Sequence, residues 1–252
     1  MPKDPYRKFV PIYDLVIGRT NSIIKRIRLN LAPPIPGMKV LDVGCGTGAD
    51  LKPYGEAGCE MYGIDLSPSM LGRARNKFGG SADLRLGDGA HMPFQDRFFD
   101  LVLSSYALHE MPNNRGSSVI NEMVRVVKND GSLLLTDFHT GPIRFPDGWI
   151  GKAFITFLEI LGGREHLLNG RDFLASGGLQ GLIEPFRFNV EKKEILGGGN
   201  IALFLLSVAS NRKNGGQARQ SATEMADKKY GGQAVPEAGK SSLFTPIDSK
   251  AI

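Results

Sequence analysis

The chain contains little cysteine, tryptophan or histidine, and it has no long apolar run. Its 252 residues include two cysteines, one tryptophan and four histidines. Two cysteines, Cys45 and Cys59, are too few for a disulfide framework, which favours a reducing compartment over secretion. No apolar segment reaches the roughly 18 residues that a membrane-spanning helix needs, and the N-terminal residues lack the apolar core of a secretory signal. We therefore expect a cytoplasmic protein.

The histidines and cysteines are dispersed and show no metal-ligand spacing, so the sequence predicts no metal site. Positive charge, in contrast, is in excess, with a formal net charge of +5. Such a balance favours an anionic partner, either nucleic acid or an acidic membrane surface. The chain has no stripe of aromatic and basic residues suited to single-stranded nucleic acid. We therefore expect no nucleic-acid partner.

The most informative stretch is an apolar run that ends in an acid and three alternate glycines. Residues 40–48 read V-L-D-V-G-C-G-T-G, which is typical of a buried strand and a tight turn. Glycines let the backbone approach a ligand closely, because they carry no Cβ atom. The G-x-G-x-G spacing differs from the dinucleotide fingerprint and so argues against a nicotinamide-dependent oxidoreductase. Asp65 ends the next strand-like segment, at the distance where a carboxylate meets ribose hydroxyls in nucleotide sites.

Strand-like and helix-like segments alternate from Met38 to Asp137, which predicts a parallel sheet with helices on both faces. The predicted strands are 39–43, 60–65, 83–86, 99–104 and 132–137, and the predicted helices include 67–77 and 118–127. Ligands of open α/β sheets bind beyond the carboxyl ends of the strands. Polar residues stand at these ends, namely Asp42, Asp65, Asp88, Ser104, Ser105 and Asp137.

These motifs resemble those of the class I S-adenosylmethionine (SAM) dependent methyltransferases. The resemblance rests on Asp42-x-Gly44-x-Gly46-x-Gly48, on Asp65 and on residues 87–90, and it covers about residues 38–140. Within this family, segments 98–102, 108–111 and 122–128 are most similar to the ubiquinone/menaquinone-biosynthesis and small-molecule or phospholipid methyltransferases (methyltransferase type 11). The resemblance implies a doubly wound, Rossmann-like α/β fold with a seven-stranded, mostly parallel sheet and an inserted helical lid.

The resemblance also implies SAM as the cofactor and a role for several residues. The amides of the glycine loop approach the methionyl part, Asp42 supports its amino group, and Asp65 accepts both ribose hydroxyls. Asp88 and the Ala90 amide receive the adenine, on which Met70 either packs or belongs to the core. For each acid the alternative is a helix cap or a turn. The full predicted cofactor set is Asp42, Gly44, Cys45, Gly46, Thr47, Gly48, Asp65, Leu66, Met70, Asp88, Gly89, Ala90, Ser104 and Ser105.

His109 is the candidate catalytic residue, because it follows the fourth strand and titrates near neutrality. A base is needed only if the acceptor is carbon or a poorly acidic hydroxyl; otherwise His109 shapes the pocket or simply begins a helix. The acid-Pro-Pro-aromatic run of base N-methyltransferases is absent at this point, which argues against base methylation. Besides His109, the candidate substrate contacts are Tyr6 and Tyr13, with a purely structural role as the alternative, and His139, His166 and Arg171, with a surface or capping role as the alternative.

The sequence divides into five segments. They are an N-terminal helical segment (1–36), the SAM-binding core (37–140), a helical substrate lid (141–184), a hairpin that completes the sheet (185–210) and a disordered tail (211–252). The lid begins with an apolar helix over 149–161 and has a second helix over 169–176. The predicted hairpin strands are 186–193 and 200–208.

The N-terminal segment contains a basic amphipathic stretch. Ile23, Ile24, Ile27 and Leu31 share one helical face, and Lys25, Arg26 and Arg28 occupy the rest. This helix either packs on the edge of the domain or lies on an anionic membrane, peripheral to its inner face.

We therefore expect methyl transfer from SAM to a small, lipophilic or membrane-associated acceptor. The candidates are a quinone precursor and a phospholipid headgroup amine. A polar cytosolic metabolite is the alternative acceptor, and a non-catalytic SAM-fold subunit is the alternative to an enzyme. The sequence indicates no oligomeric state.

Overall fold

A seven-stranded sheet organises the part of the chain described by the computed structural model, which is residues 23–209 without the side chains of 154, 157–159, 161 and 162. Its order is β3-β2-β1-β4-β5-β7-β6. Strands β1 to β5 are parallel, while β7 runs antiparallel to both β5 and β6. This confirms the predicted doubly wound, mostly parallel sheet. The strands are β1 Lys39–Val43, β2 Glu60–Asp65, β3 Ala82–Leu86, β4 Phe99–Ser105, β5 Val127–Phe138, β6 Phe188–Leu196 and β7 Ile201–Val208.

Helices cover both faces of the sheet. No helix among the described residues is long and apolar enough to cross a membrane. Tyr6, Tyr13 and the predicted tail lie outside these residues. The helices are α1 (23–31), α2 Lys52–Glu56, α3 Pro68–Phe78, α4 Asn113–Val126, α5 Asp147–Gly162, α6 Arg164–Ala175 and α7 Gly178–Ile183, with 3₁₀ turns at Leu108–Glu110 and Gly197–Gly199.

Two apolar cores lie on the two faces of the sheet, because side chains alternate along each strand. Leu41 of β1 and Leu133 of β5 belong to the core beneath α4, α6 and α7. Val40 and Leu134, each one residue away, belong to the core beneath α1, α2 and α3. Strands buried on both faces read as continuous apolar runs, which is why the sequence located them well.

The predicted bounds of β1 and β2 agree with the structure, whereas β5 begins at Val127 instead of residue 132. Its register against β4 shifts between Phe99, which pairs with Val127, and Leu101, which pairs with Ser132. The intervening residues bulge out of the ladder, and the Lys128 Nζ lies 2.6 Å from Asp100 Oδ1. The Asn-Asp-Gly sequence in this bulge is typical of a turn. The first part of β5 was therefore not predicted as a strand.

Two helices begin more than a turn earlier than predicted, and α5 begins two residues earlier, at Asp147 instead of residue 149. Helix α4 begins at Asn113 instead of residue 118, and α6 at Arg164 instead of residue 169. The first turn of α4 contains Gly116, a poor helix former. Tertiary contacts support it nevertheless: a Cβ on Gly116 would lie 3.4 Å from Leu182, and Asn113 Nδ2 donates to Ser176 Oγ at 2.9 Å.

The structure corrects the predicted faces of α1. Arg28, assigned to the polar side, is 4% exposed, whereas Ile23, assigned to the apolar side, is 46% exposed. The Arg28 guanidinium forms a salt bridge with Asp50 and donates to Ser105 Oγ. Helical periodicity could not reveal this, because the carboxylate that draws Arg28 inward comes from a distant part of the chain. Arg28 is therefore unavailable to a membrane surface.

Arg125 fastens the loop before β4 to helix α4. Its guanidinium donates to Glu122 Oε1 at 2.7 Å, Asp96 Oδ1 at 2.6 Å, and the carbonyls of Phe94 at 2.8 Å and Met92 at 2.9 Å. The side-chain hydrogen bond from Arg125 holds the pKa of Glu122 below its ordinary value, against the opposing effect of burial.

We expect Arg125→Ala to lower the free energy of unfolding by about 2–3 kcal/mol, because it leaves carbonyls and a carboxylate without their donor. Urea denaturation at pH 7 measures this loss. A depressed pKa contributes stability above the unfolded pKa, and this contribution is lost as pH falls through the folded pKa. The difference in free energy of unfolding between wild type and Arg125→Ala should therefore decrease at acid pH. The exposed Arg187 provides the control: Arg187→Ala should change stability by less than about 0.5 kcal/mol.

Candidate active site

The glycine loop follows β1 and turns back over the end of β2. Gly44, Gly46 and Gly48 have φ angles of +74°, +51° and +72°. A Cβ on Gly44 would lie 2.5 Å from the Cβ of Ala107, whereas at Gly46 no atom lies within 4 Å of that position. Gly44 is therefore required by packing, whereas the space beside Gly46 is open, and its contact with the cofactor stays a prediction. Between them Cys45 is buried, and burial raises the pKa of its thiol well above the ordinary value.

Asp65 holds the glycine loop from the end of β2. Its Oδ2 accepts from the Gly46 amide at 2.7 Å, and its Oδ1 accepts from the Ser67 amide at 2.7 Å. A carboxylate offers about four lone-pair positions, so it can accept from several donors at once. The carboxylate is thus fixed in place, and its contact with ribose stays a prediction.

Of the residues that follow Asp65, one is exposed and one is buried. Leu66 is 61% exposed, whereas Met70 is 3% exposed in the first turn of α3. Ser67 Oγ caps this helix by accepting from the Met70 amide at 3.2 Å. Most of the Met70 side chain therefore packs within the protein, and its contact with adenine stays a prediction. Thr47, in the glycine loop, is 2% exposed.

Asp42 is a buried carboxyl at the inner end of the site. It is 2% exposed, and its Oδ1 has no hydrogen-bond partner among the described residues. Burial raises the pKa of Asp42 well above its ordinary value, and the nearby Asp50 carboxylate adds to this, while Arg28 opposes it. A buried carboxyl oxygen without a hydrogen-bond partner is costly, and the contact of Asp42 with the cofactor's amino group stays a prediction.

Asp42→Asn should make the protein more stable. Because the folded pKa of Asp42 is raised, the carboxyl destabilises the fold above its unfolded pKa of about 4. We expect the variant to gain at least about 1 kcal/mol at pH 8, and the gain should shrink toward pH 4. Chemical denaturation across this range measures the effect. A variant less stable than wild type at pH 8 would show that the carboxylate is satisfied in the folded chain.

The loop after β3 presents Asp88. Its Oδ1 accepts from the Ala90 amide at 2.9 Å, and its Oδ2 lies 2.8 Å from the Arg115 guanidinium. Burial acts to raise the pKa of Asp88, but these two donors hold it below its ordinary value. Ala90 is 9% exposed, and a Cβ on Gly89 would lie 3.0 Å from Val43. Asp88 therefore forms the turn contact that was the alternative to an adenine contact, and the adenine contact stays a prediction.

The two serines at the end of β4 hold neighbouring elements. Ser104 Oγ donates to the Val43 carbonyl at 2.9 Å and so fastens β4 to β1. Ser105 Oγ accepts from Arg28, which also binds Asp50. Both serines thus have structural partners, and a contact between either serine and the cofactor stays a prediction.

His109 lies against a buried carboxylate at the end of β5. The Nδ1 atom of His109 is 2.6 Å from Asp137 Oδ1, and the two residues are 3% and 0% exposed. The backbone amides of Leu108, His109 and Phe138 donate to the same carboxylate at 3.0, 3.3 and 2.8 Å. The imidazole also stacks on the Phe138 ring with 4.1 Å between centroids. Asp137 therefore fixes the ring and favours the tautomer with its proton on Nδ1.

The structure brings only some of the candidate substrate contacts together. The His166 ring meets the His109 ring edge-on at 5.6 Å, and the Glu110 carboxylate joins them. His139 lies elsewhere, where its Nδ1 accepts from the Gly141 amide at 2.8 Å. Arg171 is exposed on α6. The contacts of His139 and Arg171 with a substrate stay predictions.

Sequence reasoning gave no role to three residues that the structure brings to the site. Asp137 was recognised as a polar strand end, but its pairing with His109 depends on the adjacency of β4 and β5. Glu110 directly follows His109, which was the available signal. Arg28 gave no signal beyond its position in an amphipathic helix.

Comparison with known proteins assigns the core to a family. A family model described as "Methyltransferase domain" matches residues 41–135. The chain is 34% identical over 144 residues to a demethylmenaquinone methyltransferase of Renibacterium salmoninarum, covering 53% of this chain and 58% of that protein. It is 32% identical over 166 residues to an uncharacterized methyltransferase of Synechocystis, covering 66% of this chain and 74% of that protein.

A third relative and one solved structure extend the comparison. A ubiquinone/menaquinone biosynthesis C-methyltransferase of Laribacter hongkongensis is 35% identical over 140 residues, covering 52% of this chain and 56% of that protein. The chain thus spans just over half the length of the two quinone-related relatives. The magnesium protoporphyrin IX methyltransferase of Synechocystis, with bound SAM, has a TM-score of 0.51 at 18% identity, covering 78% of this chain and 83% of that one, and supports the fold.

Proposed function

Because this chain belongs to the class I SAM-dependent methyltransferases, whose cofactor is SAM, we propose that it methylates a ring carbon of a lipophilic quinol. Two relatives named for quinone methylation support the acceptor class. The observation that carries the proposal is the buried Asp137–His109 pair, with 2.6 Å between Oδ1 and Nδ1. The proposed cofactor contacts are those of the glycine loop, Asp42, Asp65 and Asp88.

Carbon methylation requires a proton acceptor, and we propose His109 for this role. The C–CH₃ bond forms as the S–CH₃ bond of SAM breaks, S-adenosylhomocysteine leaves, and the ring carbon releases one proton to water. Ionising a ring hydroxyl makes the carbon next to it a better nucleophile. With Nδ1 bound to Asp137, Nε2 of His109 is the nitrogen that can take the hydroxyl proton. Amine methylation needs only the neutral amine, which arises by loss of an ammonium proton to water and carries the attacking lone pair.

The glycine loop and the His109 pair lie close enough to serve one reaction. Ala107, whose Cβ faces Gly44, directly precedes the 3₁₀ turn that contains His109. The sulfonium is already a good leaving group, so the protein needs mainly to align acceptor and donor and to exclude water. The parallel strands place both groups at the same end of the sheet.

The lipophilic character of the acceptor is supported by helix α5 and the segment before it. Phe145 is 85% exposed, and Trp149, Ile150 and Ile160 are 58%, 55% and 57% exposed. Apolar residues clustered on a surface mark a binding surface for protein, lipid or apolar ligand. We propose that this surface admits a membrane-dissolved quinol.

The test is a transfer assay with methyl-labelled SAM and two acceptors in the same detergent. The first acceptor is demethylmenaquinol and the second is phosphatidylethanolamine, which is the alternative acceptor. We expect label in the quinol with no label in the phospholipid. Label in the phospholipid alone would replace the quinol proposal with headgroup methylation, and a polar-metabolite pool tests the remaining acceptor class. SAM binding without transfer to any acceptor would favour a non-catalytic subunit.

We further propose peripheral binding to membranes through this apolar surface, helped by the exposed Arg26 of α1. Co-sedimentation with anionic and with neutral vesicles measures this binding, at low and high salt. We expect more protein to sediment with the anionic vesicles than with the neutral ones, and we expect this difference to decrease at high salt. Equal or no binding to the two vesicle types would contradict a charge-assisted membrane contact.

A further inference from the structure

Three side chains of metal-binding type meet between the 3₁₀ turn Leu108–Glu110 and helix α6. The possible ligand atoms of His109, Glu110 and His166 all lie within 4.8 Å of one another. His109 is buried, and the other two are half-buried. The sequence predicted no metal site because His166 is far from the other two along the chain. The fold removes this separation by laying α6 against the turn.

We propose that His109, Glu110 and His166 bind a divalent transition-metal ion, of which Zn²⁺ and Fe²⁺ are the best candidates. Two imidazoles and one carboxylate suit these ions better than Mg²⁺ or Ca²⁺, which prefer oxygen ligands alone. Three protein ligands leave positions on the ion for an exogenous oxygen.

The surroundings of His109 support a ligand role. A metal-binding histidine usually donates its other ring N–H to a carboxylate or a carbonyl, which orients the ring. Asp137 occupies this position at 2.6 Å from Nδ1, so Nε2 is the nitrogen that would bind the ion. Asn169 of α6 donates to the Glu110 carbonyl at 2.8 Å and holds the turn against the helix that carries His166.

The spacing of the three groups is close to that of ligands around one ion. Ligand atoms lie about 2.0–2.2 Å from zinc, so two of them are at most about 4.4 Å apart. A separation within 4.8 Å needs only a small closing movement of the side chains. His166 lies on the lid side and the other two on the core side, so the ion would also fasten α6 to the core.

The chemical role of the ion rests on the function proposed above. If bound, the ion would lower the pKa of an acceptor hydroxyl that contacts it, so that the hydroxyl proton could pass to water. The ring carbon would then take the methyl group from sulfur and lose its own proton to water. The metal-free chain uses Nε2 of His109 as the proton acceptor, whereas the loaded chain uses that nitrogen as a ligand.

The experiment titrates the full, chelator-stripped chain with Co²⁺, whose visible absorption reports its ligands, and with Zn²⁺ in equilibrium dialysis. We expect one ion per chain. His166→Gln and Glu110→Gln should each weaken binding at least tenfold, and Asp137→Asn about 10–100-fold. His91→Gln is the matched control because the His91 side chain is 86% exposed and lies outside the cluster. Binding that is absent in wild type, or unchanged by His166→Gln, overturns the proposal.

Parallel transfer assays separate this inference from the proposed function. A chain that binds the ion through this cluster but methylates no quinol contradicts the function and leaves the metal site standing. A stripped chain that methylates the quinol as fast as the loaded chain overturns the catalytic role of the ion. Circular dichroism of each variant identifies any loss that comes from misfolding.

Discussion

Asp65→Ala should reduce SAM affinity by about 10²-fold or more, because two hydrogen bonds to a charged acceptor contribute about 1.5–3 kcal/mol each. The carboxylate also accepts from the amides of Gly46 and Ser67. The substitution therefore removes the proposed ribose acceptor and loosens the glycine loop at once. Titration calorimetry with SAM and with S-adenosylhomocysteine measures the loss.

A second variant and a control separate these two effects. Asp65→Asn keeps the volume and one acceptor oxygen, so it should hold the loop better while still losing the bidentate contact. Asp83→Asn is the matched control, because Asp83 is 39% exposed on β3 and pairs with Arg85. We expect its SAM affinity to stay within about twofold of wild type. If both Asp65 variants bind SAM as tightly as wild type, Asp65 does not contact the cofactor.

Local patterns predict the glycine loop and the strands around it well. The glycine loop and the acid at the end of β2 are each specified by a few adjacent residues. The parallel strands are apolar on both faces, so their positions can be predicted without knowledge of the tertiary structure. The Gly46 amide and Asp65 therefore meet as soon as β1 and β2 pair in register, as Asp42 with Gly63.

Contacts between residues distant in sequence determine the features that local patterns did not predict. Arg28 has the sequence environment of a solvated basic residue, yet Asp50 and Ser105 draw it inside. Similarly, no local signal connects His166 with Glu110, because the lid helix that carries His166 is positioned by packing. The start of α4 was missed for the same reason, since contacts to α7 compensate for a weak helical sequence.

The Asp137–His109 pair provides the second large effect. Asp137→Asn should lower kcat for quinol methylation by about 10²–10⁴-fold while SAM affinity stays near that of wild type. The asparagine amide would donate to Nδ1 of His109, which moves the ring proton to Nε2. This nitrogen then has no lone pair for a proton or a metal ion. Single-turnover kinetics with saturating SAM measures the change.

A double-variant cycle tests whether the two residues act as one unit. If Asp137 acts only through the imidazole, adding Asp137→Asn to His109→Gln should cause little further loss, and the two effects should be far from additive. Additive losses would instead indicate that Asp137 stabilises the turn through the amides of Leu108, His109 and Phe138. Comparing the melting temperatures of the three variants distinguishes this structural contribution. The carboxylate is thus a positioning residue only if the rate falls in the cycle without a matching fall in stability.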